Sequence, residues 1–230
     1  LNVFRADAQG RYQEIATLVT RNGAALGDDV SVAGNYVVVT GAQRVHVFQL
    51  PASYAAPAPR YENFENGAGA WTPSAGAQFS VAGNAANHVY RQASLTGNAR
   101  ALLDVAWTNQ AIEADLRATE FSGSDRWFGL ITRYQDAQNF FYVTLRSSGT
   151  VQLRRMQNGV FTELARAPLA VTTNRTYRVR LESYGGTHRA YVDGQRLLDV
   201  DVAGPVQAGS AGVAMYRTRA DVDNVVATPS

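Results

Sequence analysis

The chain has 230 residues, enough for one large β domain or two smaller ones with a sizeable core. Its net charge of +2 gives no reason to expect nucleic acid or an anionic membrane as partner. It has no cysteine, which excludes disulfides and thiolate metal sites and is compatible with a bacterial secreted protein. All 21 basic residues are arginine, read here mainly as a codon bias of the source and secondarily as planar, bidentate chemistry. No apolar run approaches the roughly 20 residues of a membrane span. No signal peptide is visible, and the start at Leu1 reads as a mature or trimmed terminus.

Residues 1–50 read as a β segment of their own. VFRAD, RYQEIATLVT, DVSVAGNYVVVTG and RVHVFQL are candidate strands, broken at Ala8-Gln9-Gly10, Arg21-Asn22-Gly23 and Gly41-Ala42-Gln43. Gly34-Asn35 marks a tight reversal between VSVA and YVVVT. This rhythm resembles one blade of an FG-GAP-type β-propeller. A single blade cannot close a ring, so the resemblance implies the end of a longer propeller or strands docked on another domain. Such repeats can bind calcium through an acidic loop, of which only Asp28 and Asp29 remain here, too few for a site. Residues 51–59, PASYAAPAP, read as an extended, semi-rigid linker.

From Arg60 onward the sequence is turn-rich, with Phe64, Trp71, Phe79, Val81 and Tyr90 as core anchors. Short runs of aromatic and β-branched residues then follow one another to the C-terminus, and no 3.6-residue stripe persists for three turns. A dozen short strands in this length predict an all-β, two-sheet antiparallel sandwich. Asp193-Gly194, with strands on both sides, is the strongest hairpin signal. WFGLITRY, NFFYVTLR and TVQLRRM read as three consecutive antiparallel strands. In the middle one Phe141, Val143 and Leu145 point one way and Tyr142, Thr144 and Arg146 the other.

The succession of Glu62-Asn63-Phe64, Trp71, HVYRQ, AIEADLRATEF, the three central strands, TYRVRLESYGGTHRAYVDGQRLLDVDV and GVAMYRTRADVDNVVATP resembles a concanavalin A-like jelly roll. More narrowly, it is similar to the laminin-G-like accessory domains of bacterial secreted carbohydrate-active proteins. The resemblance spans 60–230. It implies the fold, and the same sandwich hosts lectins, glucanases, lyases and protein-binding modules.

Glucanases of this fold carry three acids on one strand, and IEADLRATE offers Glu113, Asp115 and Glu120. The third acid belongs at 117 or 118, where Arg117 and Ala118 stand, so the carboxylate pair a retaining mechanism needs is incomplete. For lyase chemistry Tyr142 could serve as base with Arg133, Arg146 and Arg154 neutralising a uronate. The strand motifs of such lyases and any lysine are missing. His46, His88 and His188 lie outside the central strands and read as surface or partly buried histidines.

Binding without catalysis is the preferred reading. Glu113, Asp115 and Arg117 are placed on one polar face with Tyr142, Thr144, Arg146, Gln152 and Arg154, and the resemblance adds Arg133. An aromatic plane with flanking Arg, Gln and acids suits a sugar, and a charge ladder that solubilises an exposed sheet is the plain alternative. The resemblance also implies a structural calcium at Asp223 with Glu62 or Asn63. The expectation is therefore a carbohydrate-binding module of a larger secreted or cell-surface protein, taking a polysaccharide or oligosaccharide. A polysaccharide-cleaving enzyme and a protein-binding adhesion module are the rivals.

Overall fold

The computed structural model describes residues 1–6, 12–18, 29–33, 36–41, 44–50 and 57–229. The chain divides into two compact units, Leu1–Ala58 and Pro59–Ser230. In the first, β1 (Asn2–Ala6) pairs with β2 (Tyr12–Thr17), and β3 (Asp29–Ala33), β4 (Tyr36–Gly41) and β5 (Arg44–Gln49) form an antiparallel sheet. Leu18, Val37, Val39 and Leu50 make its small core. The described strands thus form a two-stranded and a three-stranded sheet, not the single four-stranded sheet of a propeller blade. The turn residues 8–10, 21–23, 34–35 and 42–43, Asp28, and linker residues 51–56 lie outside the described residues.

The second unit is all β among the described residues. Its early strands are β6 (Arg60–Glu62), β7 (Trp71–Pro73), β8 (Phe79–Asn84), β9 (Asn87–Gln92), β10 (Asn98–Trp107) and β11 (Gln110–Phe121). The middle ones are β12 (Trp127–Asp136), β13 (Asn139–Arg146), β14 (Thr150–Gln157) and β15 (Val160–Pro168). The last are β16 (Thr176–Tyr184), β17 (Thr187–Val192), β18 (Gln195–Asp201), β19 (Gly209–Tyr216) and β20 (Thr218–Pro229). They form a seven-stranded sheet in the order β15-β14-β13-β12-β19-β10-β7. The other sheet runs β18-β17-β16-β11-β20-β9-β8, with β6 also on β20. This is the expected two-sheet antiparallel jelly-roll sandwich, and the three central strands are neighbours in one sheet.

Period-two alternation builds the core. Ile112, Ala114, Leu116 and Ala118 of β11 face Leu130, Val143, Leu145 and Leu153 of the other sheet in one buried cluster. At one end Phe64, Trp71, Phe79 and Tyr90 stack with ring centroids 4.9–5.9 Å apart. Asp193 and Gly194 turn the β17–β18 hairpin with φ of 52° and 80°, the left-handed pair that this tight turn requires. Asp193 Oδ1 also accepts a bond from the Arg178 amide at 2.9 Å.

One irregularity matters for function. β12 pairs regularly with β13 and β19 up to Ile131, then slips before Tyr134 and Asp136. Arg133 sits in this slip with φ 49°. The extra residue breaks the alternation, so Thr132 and Arg133 are both buried instead of facing opposite sides.

Candidate glycan-binding face

The outer face of the seven-stranded sheet carries a second apolar cluster, separate from the sandwich core: Ile131, Phe140, Tyr142 and Ala214, with Trp127, Tyr134 and Met156 against them. Register explains the grouping. Trp127 opposes Arg146 on β13 and Tyr216 on β19, while Tyr142 opposes Ile131 and Arg154. The Trp127 ring lies 5.7 Å from Tyr142 and 6.4 Å from Tyr216, and Phe140 lies 5.1 Å from Tyr142. Between the aromatic rings and the arginines runs a cleft of about 520 Å³.

Four arginines line that cleft: Arg100, Arg126, Arg146 and Arg154. Three are laid over aromatic rings: Arg126 over Tyr216 at 5.3 Å, Arg154 over Phe161 at 5.0 Å and Arg100 over Tyr134 at 5.7 Å. The fourth, Arg146, is held in a two-point grip by Asp125, with Nε and Nη2 each donating at 2.8 Å. That grip holds the Asp125 carboxyl down at about 2, with Ser148 adding a second donor. Two buried donors of the cleft arginines, Arg146 Nη1 and Arg100 Nε, have no partner among the described residues. Such donors are costly unless something meets them.

Of the residues expected here, Tyr142, Arg146 and Arg154 line the cleft. Tyr142 faces away from the sandwich core, as its alternation predicts, but the residue is only 4% exposed, and burial pushes its phenol pKa up. Thr144 and Gln152 share the face but are buried as support: Thr144 Oγ1 donates to the Gln152 carbonyl, and Gln152 Oε1 accepts from Arg154 Nε at 2.8 Å.

Four of the expected residues belong elsewhere. Glu113, Asp115 and Arg117 are on β11, in the other sheet, and point away from the core on the opposite side of the sandwich. There they form the charge ladder. Arg178 Nε meets Glu113 at 2.6 Å and its Nη1 meets Asp115 at 3.2 Å, while Arg117 and Arg91 both grip Asp221 at 2.6 Å. Arg133 is turned inward by the bulge, donating to the carbonyls of Thr108 and Ser183 at 2.7 and 3.2 Å. His188 is not a surface histidine: it is 1% exposed, inside the sandwich. Trp127, Tyr216, Phe140, Arg100 and Arg126 were not foreseen.

The three residues expected to hold calcium are otherwise engaged. Glu62 Oε1 accepts from the Phe64 amide, and Asn63 Oδ1 from the Glu65 amide. Asp223 accepts from Asn87 Nδ2 and the Asn224 amide. The hollow beside Glu62 and Asn63 is lined by the Arg178 guanidinium and does not include Asp223. No group of three His, Asp or Glu that could hold a metal occurs among the described residues. These side chains do not fit the six to eight oxygens calcium takes.

No family model and no curated protein matches the chain. Among solved structures, it resembles the carbohydrate-binding module CBM66 from Bacillus subtilis, with a TM-score of 0.57 and 19% identity over 68% of this chain and 93% of that one. It resembles the Bacillus licheniformis beta-glucanase, with a TM-score of 0.57 and 13% identity over 76% and 99%. It also resembles the cellulose induced protein Cip1, with a TM-score of 0.59 and 12% identity over 74% and 97%. At these identities the likeness is one of fold: a concanavalin A-like sandwich.

Proposed function

We propose that Pro59–Ser230 is a non-catalytic carbohydrate-binding module of a larger secreted or cell-surface protein. Glycan would lie in the cleft on the outer face of the seven-stranded sheet. The observation that carries this reading is the cleft in which the half-buried Trp127 and Tyr216 rings, backed by Tyr142, lie beside Arg100, Arg126, Arg146 and Arg154. A sugar stacks its C–H face on such rings while its hydroxyls accept from fixed guanidinium groups. The presence of a carbohydrate-binding module and a glucanase among proteins of this fold supports the same class of ligand.

The cleft argues against cleavage. Asp125 is the one carboxylate in its lining among the described residues, and it is held ionised by Arg146, so it is no general acid at neutral pH. Glu113 and Asp115 lie on the other side of the sandwich, neutralised by Arg178. A glycan array, run beside reducing-end and unsaturated-product assays on the same polysaccharides, tests the reading. Binding without product supports it, product formation replaces it with a hydrolase or lyase, and protein-only binding replaces it with an adhesion module.

A further inference from the structure

A second hollow opens at one end of the sandwich, where the β13–β14 end meets the β16–β17 turn and the loop after β18. It holds about 200 Å³ and is lined by Arg133, Arg155, His188 and Asn158 among others, with no aspartate or glutamate among the described residues of its wall. It shares none of the arginines of the outer-face cleft.

Its charges are not balanced. Arg133 is 4% exposed, and its Nε and Nη2 each donate one bond to a backbone carbonyl, while Nη1 has no hydrogen bond among the described residues. No carboxylate among the described residues offsets that burial, which by itself brings the guanidinium down to about 10. Arg155 faces the same interior from β14, opposite Phe141, and makes no hydrogen bond or ion pair among the described residues. Its Nε is fully buried and unpartnered. In the same wall stands His188, close enough to both arginines and to Asp201 to feel their charges, its Nδ1 bonded to Ser183 Oγ at 2.9 Å and its ring stacked on Phe141 at 3.8 Å. Some arginines elsewhere in the sandwich do have acids: Arg146 has Asp125, and Arg178 has Glu113 and Asp115. Arginine is rarely buried unless paired, because the charge is taken from water without return.

We propose that this hollow is a binding site for a small oxyanion, a carboxylate or phosphate group, gripped between Arg133 Nη1 and the terminal Nη groups of Arg155, which have no hydrogen bond among the described residues and, unlike its Nε, are not fully buried. The guanidinium fork matches either group, and the side-chain amide of Asn158 at the rim offers a further donor, while that of Asn139 is committed to Asp136. The volume admits the acid end of one sugar unit or a free inorganic ion, not a chain. This site shares Phe140 and Met156 with the outer-face cleft but none of its arginines, and it stands whether or not that cleft takes glycan.

The test uses the full chain at fixed ionic strength, with chloride as the reference. Inorganic phosphate, sulfate, acetate and glucuronate are titrated while the His188 ring resonances and the melting temperature are followed. The expected result is a saturable shift of the His188 signals, a rise of several degrees in melting temperature, and an upward move of the His188 titration, because the anion offsets Arg133 and Arg155. Response to phosphate and sulfate alone makes the ligand an inorganic ion, and a tighter response to glucuronate makes it a sugar acid. Arg155→Gln should weaken the response at least tenfold, and Arg155→Lys should restore part of it. If none of the four anions moves His188 into the tens-of-millimolar range, or if Arg155→Gln binds as well as the wild type, the proposal is overturned. Should Arg155→Gln not fold, the wild-type His188 titrations decide alone.

Discussion

Replacing His188 by Gln should flatten the acid limb of the stability curve. Burial is the main reason the imidazole is brought down to about 3, and Arg133 on β12 and Arg155 on β14 add to it, while Asp201 on β18 pulls the other way. The folded value lies below the unfolded value of 6.5, so the unfolded chain takes up a proton first as pH falls. The folded state therefore has its full advantage above 6.5 and loses it progressively down to about 3. Between pH 7 and 5 this one group should lower the unfolding free energy by about 2 kcal/mol, from the linkage relation for a proton bound only by the unfolded chain. Urea unfolding by tryptophan fluorescence at half-unit pH steps, in chloride buffer, measures it. His188→Gln loses the Ser183 contact and starts less stable, but its curve should decline by about 2 kcal/mol less over the same window. Equal slopes for the two proteins would refute the argument. The chosen window lies above the range where Asp125, held low by Arg146, would contribute.

Trp127→Ala should weaken glycan binding by roughly 1–3 kcal/mol, about 5- to 150-fold, since the ring joins Tyr142 to Tyr216, and affinity electrophoresis reads it. Circular dichroism of that variant should be unchanged. Gly129→Ala places a Cβ 1.8 Å from the Val143 carbonyl oxygen, so backbone must move, and a loss of about 3 kcal/mol in chemical denaturation is expected. A chelator should leave the melting temperature unchanged, because Glu62, Asn63 and Asp223 are committed to hydrogen bonds, and a fall of several degrees would restore the calcium expectation.

The sheet composition and the faces of single strands were legible because alternation is a local signal. Val143 and Leu145 against Tyr142 and Arg146 needs only the strand itself. Which sheet a strand joins is not local. Glu113, Asp115 and Arg117 alternate as cleanly as Tyr142 does, and only the pairing of β11 with β16 and β20 puts them on the far side. Arg133 was placed on the polar face by the resemblance and not by alternation; the bulge that turns it inward shifts parity, and Thr-Arg-Tyr contains no glycine to announce it. For His188 a usable signal existed: its spacing from Ala190 and Val192, both buried, gives it the same inward face. Trp127 and Tyr216 meet only across the β12–β19 pairing, which joins residues far apart in the chain.

The pairing of β6 with β20 sets how this domain responds to tension. Arg60 lies beside Ala227 and Glu62 beside Val225, so the first and last strands run antiparallel with their outer ends together. Force applied through both ends would load these hydrogen bonds one after another, as a zip, and not all at once in shear. The three-residue β6 should peel away at low force, before the β11–β20 pairing behind it yields. A module built this way gives slack early and keeps the seven-stranded sheet, with its aromatic cleft, out of the line of pull.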